Sequence, residues 1–171
     1  MKNIFRYLQG IPGIVLMERA SLEAAMEVRN RFPEGASVIV IAERGNNGGD
    51  GLAAGRMLLL WGYRVSFYEI GQVPRASDSY RIQKEILTGL HADFLPSMPG
   101  EDPDVWIDAI FGVGLTRDIG GIHRQVIEEL NARSGYVLSI DVPSGVDASS
   151  GALRGCAVRA DLTVTFGFNK V

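Results

Sequence analysis

The stretch GNNGGDGL, residues 45–52, follows the β-branched run SVIVIA and leads into an amphipathic segment that ends at Trp61. Glycines crowded between a buried strand and a helix start can take positive φ and let backbone approach a ligand without Cβ obstruction. The free N–H groups and the dipole of the helix that follows favour an anion such as phosphate. Residues 45–51 therefore read as an anion-binding loop that needs no lysine. The stretch matches neither common nucleotide fingerprint. G-x-G-x-x-G starting at Gly45 would need glycine where Asn47 stands, and no Gly-Lys-Ser/Thr follows. The alternative is a tight turn made by Gly48, Gly49 and Gly51 with Asp50 as helix N-cap. It leaves the paired Asn46 and Asn47 without a reason.

Three further polar residues fall where strands end. Asp108 lies near the end of DVWIDAIFG, Asp141 closes YVLSID, and Ser144 sits in the VPSG turn just beyond. One carboxylate closing a strand is often only a turn residue, but several such loops at one sheet edge can share a ligand. Asn47, Asp108 and Ser144 would present an amide oxygen, a carboxylate and a hydroxyl. These hard donors suit an alkali or alkaline-earth cation and are unsuited to a soft transition metal. Cys156 is the only cysteine, which excludes an internal disulfide and a cysteine metal cluster. A reducing, cytoplasmic setting is expected. His91 and His123 have no metal-ligand spacing and read as surface or loop residues.

These residues need a scaffold that brings strand ends together. Pro12 suits the first turn of a helix running to about Phe32, with Ile14, Leu16, Met17, Leu22, Ala25 and Met26 on a face expected to cover a sheet. Strands are expected over residues 37–42, 64–70, 104–110 and 136–140, and from Leu162 onward. Helices are expected over 52–61, 79–90 and 122–132, and a long loop over 96–103. Alternating strands and helices predict one open, mostly parallel sheet with helices on both faces, a three-layer α/β/α architecture. Ligands of such sheets sit beyond the strand carboxyl ends. The 171 residues suffice for one core and fit a single domain over 1–171, and a net charge of −3 gives no global attraction to nucleic acid. Apolar runs stop short of the roughly 20 residues a bilayer core requires. Arg6, Gln9 and Pro12 interrupt any signal peptide.

Five segments in order carry a family resemblance: GIPGIVLMERA at 10–20, GNNGGDGL at 45–52, DAIFGVGLTR at 108–117, SIDVPSGVDA at 139–148 and ADLTVTFGFNK at 160–170. With them the chain resembles the NAD(P)H-hydrate epimerase family, also called the YjeF N-terminal domain family. The resemblance implies a Rossmann-like fold and an isomerase of cofactor repair. That activity interconverts the R and S epimers of NADHX and NADPHX for an S-specific dehydratase. By motif it implies that Asn46, Asn47, Gly48, Gly49 and Asp50 contact the dinucleotide. It implies the same of Gly112, Val113, Gly114, Leu115, Thr116, Arg117 and Asp118, and of Asp141. It also implies a potassium ion held by Asn47, Asp108 and Ser144, with Asp141 and Lys170 as acid and base and a homodimer as the assembly. Relatives usually have glycine where this chain has Glu43, a carboxylate that opposes a phosphate unless it points away or Arg44 offsets it. Relatives also continue past the position of Val171, so the domain is expected to be C-terminally truncated or completed by association. Glu69 stands where a dehydrogenase places its ribose-binding acid, but without the glycine fingerprint it reads as structural.

Overall fold

In the computed structural model residues 10–71 and 76–166 are described. Helix α1 spans Gly13–Arg31 behind Pro12, whose fixed φ suits a helix start. Strand β1, Ser37–Glu43, leads through Gly45 into α2, Asn46–Leu60, and on to β2, Arg64–Ile70. Helix α3, Asp78–Gly89, is capped by the Ser77 hydroxyl accepting from Tyr80 N. Strand β3, Asp93–Leu95, and strand β4, Val105–Ala109, follow. Then come α4, Gly121–Asn131, β5, Tyr136–Ile140, and β6, Leu162–Val164.

All six strands pair in parallel, in the order β3-β2-β1-β4-β5-β6. This is the strand order of the Rossmann-like doubly wound folds, and the order reverses between β1 and β4. Period-two alternation in the β1 run explains the layers. Val38, Val40 and Ala42 join the core beneath α2 and α3, while Ile39 and Ile41 join Trp106, Val126, Ile127 and Leu130 under α4. Helix α1, expected on the sheet, packs chiefly along α2. Arg56 of α2 donates to Glu18 of α1 at 2.6 and 2.7 Å and to Gln83 of α3 at 3.1 Å, and Gln83 donates to Glu18 at 2.6 Å. One guanidinium thereby ties three helices into one layer.

The glycine-rich stretch is a helix and not a loop. Helix α2 begins at Asn46 with Gly45 as N-cap, so Asp50 is not the cap, and none of Gly45, Gly48, Gly49 and Gly51 has positive φ. The glycines are there for close approach. A Cβ on Gly49 would stand 2.6 Å from Met17 Cε, one on Gly51 2.3 Å from Ala109 Cβ, and one on Gly55 2.5 Å from Phe67 Cε1. Tertiary contact thus overrides the poor helix propensity of NNGGDG.

Candidate functional site

Beyond the carboxyl ends of β1, β4 and β5 lies a cleft of about 1010 Å³. One wall is the start of α2, with Gly45, Asn46, Asn47 and Asp50; another is the loop from Ile110 to Arg117; Asp141, Glu43, Leu16 and Phe166 complete it. A helix leaves its first N–H groups without partners. No side chain caps those of α2 and no acidic residue occupies its first turn, so they remain for an anion. A second cavity of about 600 Å³ adjoins and shares Leu16, Asn46, Asp50 and Phe166. Asp50 stands at the junction of the two.

The ends of β4 and β5 are locked together by Asp108. Its carboxylate, fully buried, accepts from Ser139 Oγ at 2.7 Å, Ser144 N at 2.9 Å, Ser144 Oγ at 2.5 Å and Ile110 N at 3.3 Å. Burial pushes its carboxyl above the ordinary aspartate value, against the pull of those donors. Ser144 Oγ also accepts from Phe111 N at 2.8 Å and lies 3.2 Å from Phe111 O, fixing the base of the β4–α4 loop. The Asp108→Asn variant would turn an amide NH2 toward donors. It is expected to cost on the order of 2 kcal/mol in urea unfolding, the cost of orphaned buried donors.

Asp141 holds a backbone conformation rare for a residue with a Cβ, φ +70. Val142 N donates to Ile140 O at 2.9 Å, closing a three-residue turn centred on Asp141, and Asp141 N donates to Val164 O at 2.8 Å. A γ-turn with positive central φ is strained and needs such support. The turn swings the carboxylate over the cleft, where Oδ2 accepts from Val113 N at 3.0 Å. A Cβ on Gly112 would meet Asp141 Oδ2 at 2.7 Å and Asn47 Oδ1 at 3.2 Å, so glycine there lets both side chains close on the loop.

Burial first, and then the neighbouring Asp141 charge, pushes the Asp50 carboxyl up to about 7. Glu43 and Arg117 line the cleft. Glu69 is structural, binding the Tyr80 hydroxyl and, at 2.6 Å, Lys84 Nζ. His123 is not a free surface residue. It sits half-buried on α4 against Phe111, ring centroids 5.0 Å apart, with Nε2 buried and unpartnered, because α4 begins directly behind the cleft loop. Desolvation holds its pKa below the ordinary value.

Of the residues singled out from sequence, the structure gathers Asn46, Asn47, Asp50, Asp141 and Gly112 to Arg117 on one cleft. It sets Asp108 and Ser144 in contact beneath it. Gly48 and Gly49 are buried within α2, and Asp118 is exposed outside the cleft lining. Lys170 lies outside the described residues. Glu43, expected beside the anion loop, lines the cleft, as do Leu16 and Phe166, which carry no such signal in the sequence. In the sequence Leu16 falls on an apolar helix face, and nothing in its type marks it otherwise.

The potassium set can be tested on this geometry. Asp108 is a buried carboxylate with no arginine or lysine ion pair among the described residues. Buried charge is ordinarily paired, and hard oxygen donors surround the carboxylate, so the residues fit an alkali cation.

The doubly wound sheet, with its cleft at the switch point beside a helix amino terminus, defines a Rossmann-like domain with its candidate site in the usual place. The chain belongs to the family described as "YjeF-related protein N-terminus", which it matches over residues 13–171. It is 42% identical over 167 residues to the NAD(P)H-hydrate epimerase of Limosilactobacillus fermentum, covering 94% of this chain and 78% of that one. It is 40% identical over 166 residues to that of Levilactobacillus brevis, covering 95% and 76%. The crystal structure of yeast ynu0 superposes with a TM-score of 0.79 at 27% identity, over 90% of this chain and 70% of that one.

Proposed function

We infer that the protein is an NAD(P)H-hydrate epimerase, an isomerase acting on NADHX and NADPHX in cofactor repair. The observation that carries this is 42% identity over 167 residues to an NAD(P)H-hydrate epimerase, a match that covers 94% of this chain. Among the described residues no helix is long and apolar enough to cross a membrane.

In this reading the pyrophosphate lies at the α2 amino terminus, where helix N–H groups meet its charge. The hydrated nicotinamide ring lies toward Asp141. At C6 the ring carries a hydroxyl beside a ring nitrogen. When the hydroxyl leaves, the nitrogen shares its electron pair with C6, and water returning on the opposite face inverts the centre. An acid and a base are needed; Asp141 is one, held rigid by its turn and by Val113 N. Asn47, Asp108 and Ser144 would hold potassium, which offsets the buried Asp108 charge and lends positive potential beside the phosphates. The product S epimer passes to an S-specific dehydratase.

The test couples the purified protein to such a dehydratase with the NADHX epimer mixture and follows NADH absorbance. Recovery is expected to continue past exhaustion of the S form. A halt there leaves a binding module without catalysis. The ion has its own readout: potassium is expected to raise the melting temperature over sodium at equal ionic strength, and Asp108→Asn is expected to abolish that difference.

A further inference from the structure

We propose that Asp50 is a second catalytic residue, working with Asp141 as the two carboxyl groups of one cleft that address C6 from the helix side and the sheet side. This rests on the epimerase reading of the cleft.

Nothing structural calls for an aspartate at position 50. It lies within α2 past the first turn, where it is not the N-cap, and aspartate is a poor helix former. Its carboxyl makes no hydrogen bond or ion pair among the described residues, although the side chain is largely withdrawn from water. Burying an unpartnered carboxyl is costly. The residue lines both cavities, so the group faces the space a ligand would fill. Among the described residues few charged groups adjoin it. Asp141 at the end of β5 acts on it directly. Arg19 and Glu23 of α1 line the side cavity, and Glu43 of β1 and Arg117 of the β4–α4 loop line the main cleft. A carboxyl buried beside a second carboxylate keeps its proton near neutrality, as paired acid and base groups do.

The chemistry of an epimerase asks for such a pair. Asp50 donates its proton to the C6 hydroxyl, the C6–O bond breaks and water leaves as the ring nitrogen pair forms C=N. A second water adds to C6 from the Asp141 side, and its proton passes to the Asp141 carboxylate. One water leaves and one enters, and nothing is oxidised or reduced. The turnover ends with Asp50 ionised and Asp141 protonated, which is the starting state for the opposite epimer. One shared proton thus serves both directions.

The test compares wild type, Asp50→Asn and Asp50→Ser for R-epimer turnover and for incorporation of ¹⁸O from labelled water at C6. Both variants are expected to lose about a hundredfold or more in kcat, the range for general acid–base groups, with KM within about threefold. Melting reports folding and the buried carboxyl together. Because burial raises the folded-state pKa to about 7, the stability Asp50 holds at low pH is lost as pH rises through that value. The Asn variant is therefore expected to melt with wild type at pH 4 and above it at pH 8. Wild-type-like kcat and label incorporation in both variants overturn the pair, as does a raised KM with unchanged kcat. Failure of wild type itself to convert the R epimer overturns the epimerase reading, and the pair with it.

Discussion

Gly48→Ala is expected to lose on the order of 4 kcal/mol in urea unfolding and to leave the anion site unformed. A Cβ at position 48 would sit 1.5 Å from the Glu43 carbonyl oxygen and 2.7 Å from its carbonyl carbon. That is a covalent separation, and the obstacle is backbone, so no rotamer change relieves it. The first turn of α2 would have to lift away from β1, carrying its N–H groups out of the cleft and loosening the contacts of Gly51 and Gly55 behind it. Overpacking at sites that can adjust costs about 1–3 kcal/mol; this one cannot adjust, hence the larger figure. Gly89→Ala is the control. A Cβ there meets nothing within 4 Å, the residue is helical without positive φ, and alanine should be neutral or stabilise by about 0.5 kcal/mol. A Gly48→Ala protein that unfolds at the wild-type midpoint would mean α2 does not rest on β1 as described.

This glycine shows where the sequence could be read and where it could not. The run SVIVIA announced a strand buried on both faces, and its alternation carried the sheet's two sides. The next residues announced a ligand site but hid its form. Asparagine, glycine and aspartate are the residues of turns, and only contacts with Met17, Ala109, Phe67 and the Glu43 backbone reveal why a helix must be built from them. Strand β3 was missed because three residues between a helix end and a proline-rich loop are too few to show a period. Asp108, Asp141 and Ser144 were legible as strand-end polar residues. Their division of labour was not, since Asp108 lies buried beneath the cleft and Asp141 stands over it. The nearness of Asp50 to Asp141 depends on a helix crossing the sheet and has no local signal. Nor did the sequence mark His123, whose burial follows from where α4 starts.

Asp141 is where local strain and chemistry meet, and three substitutions separate them. Asp141→Asn keeps size and the tolerance of asparagine for left-handed φ, and Asn Oδ1 can still accept from Val113 N. Stability should stay within about 1 kcal/mol of wild type, while R-epimer turnover should fall at least about a hundredfold, since the charge and the proton acceptor are gone. Asp141→Gly and Asp141→Ala both lose the carboxylate and its bond to Val113, so both should be as inactive. They differ only in backbone: alanine must hold φ +70 with a Cβ, and glycine need not. Glycine is therefore expected to be the more stable of the two by about 1 kcal/mol, the cost of a left-handed residue with a side chain. Unfolding midpoints with matched slopes give the comparison directly. Equal stability of the glycine and alanine variants would show that the turn relaxes once the side chain is removed. In that case the contact between Asp141 and Val113 N, with the site around it, holds the strained backbone in place.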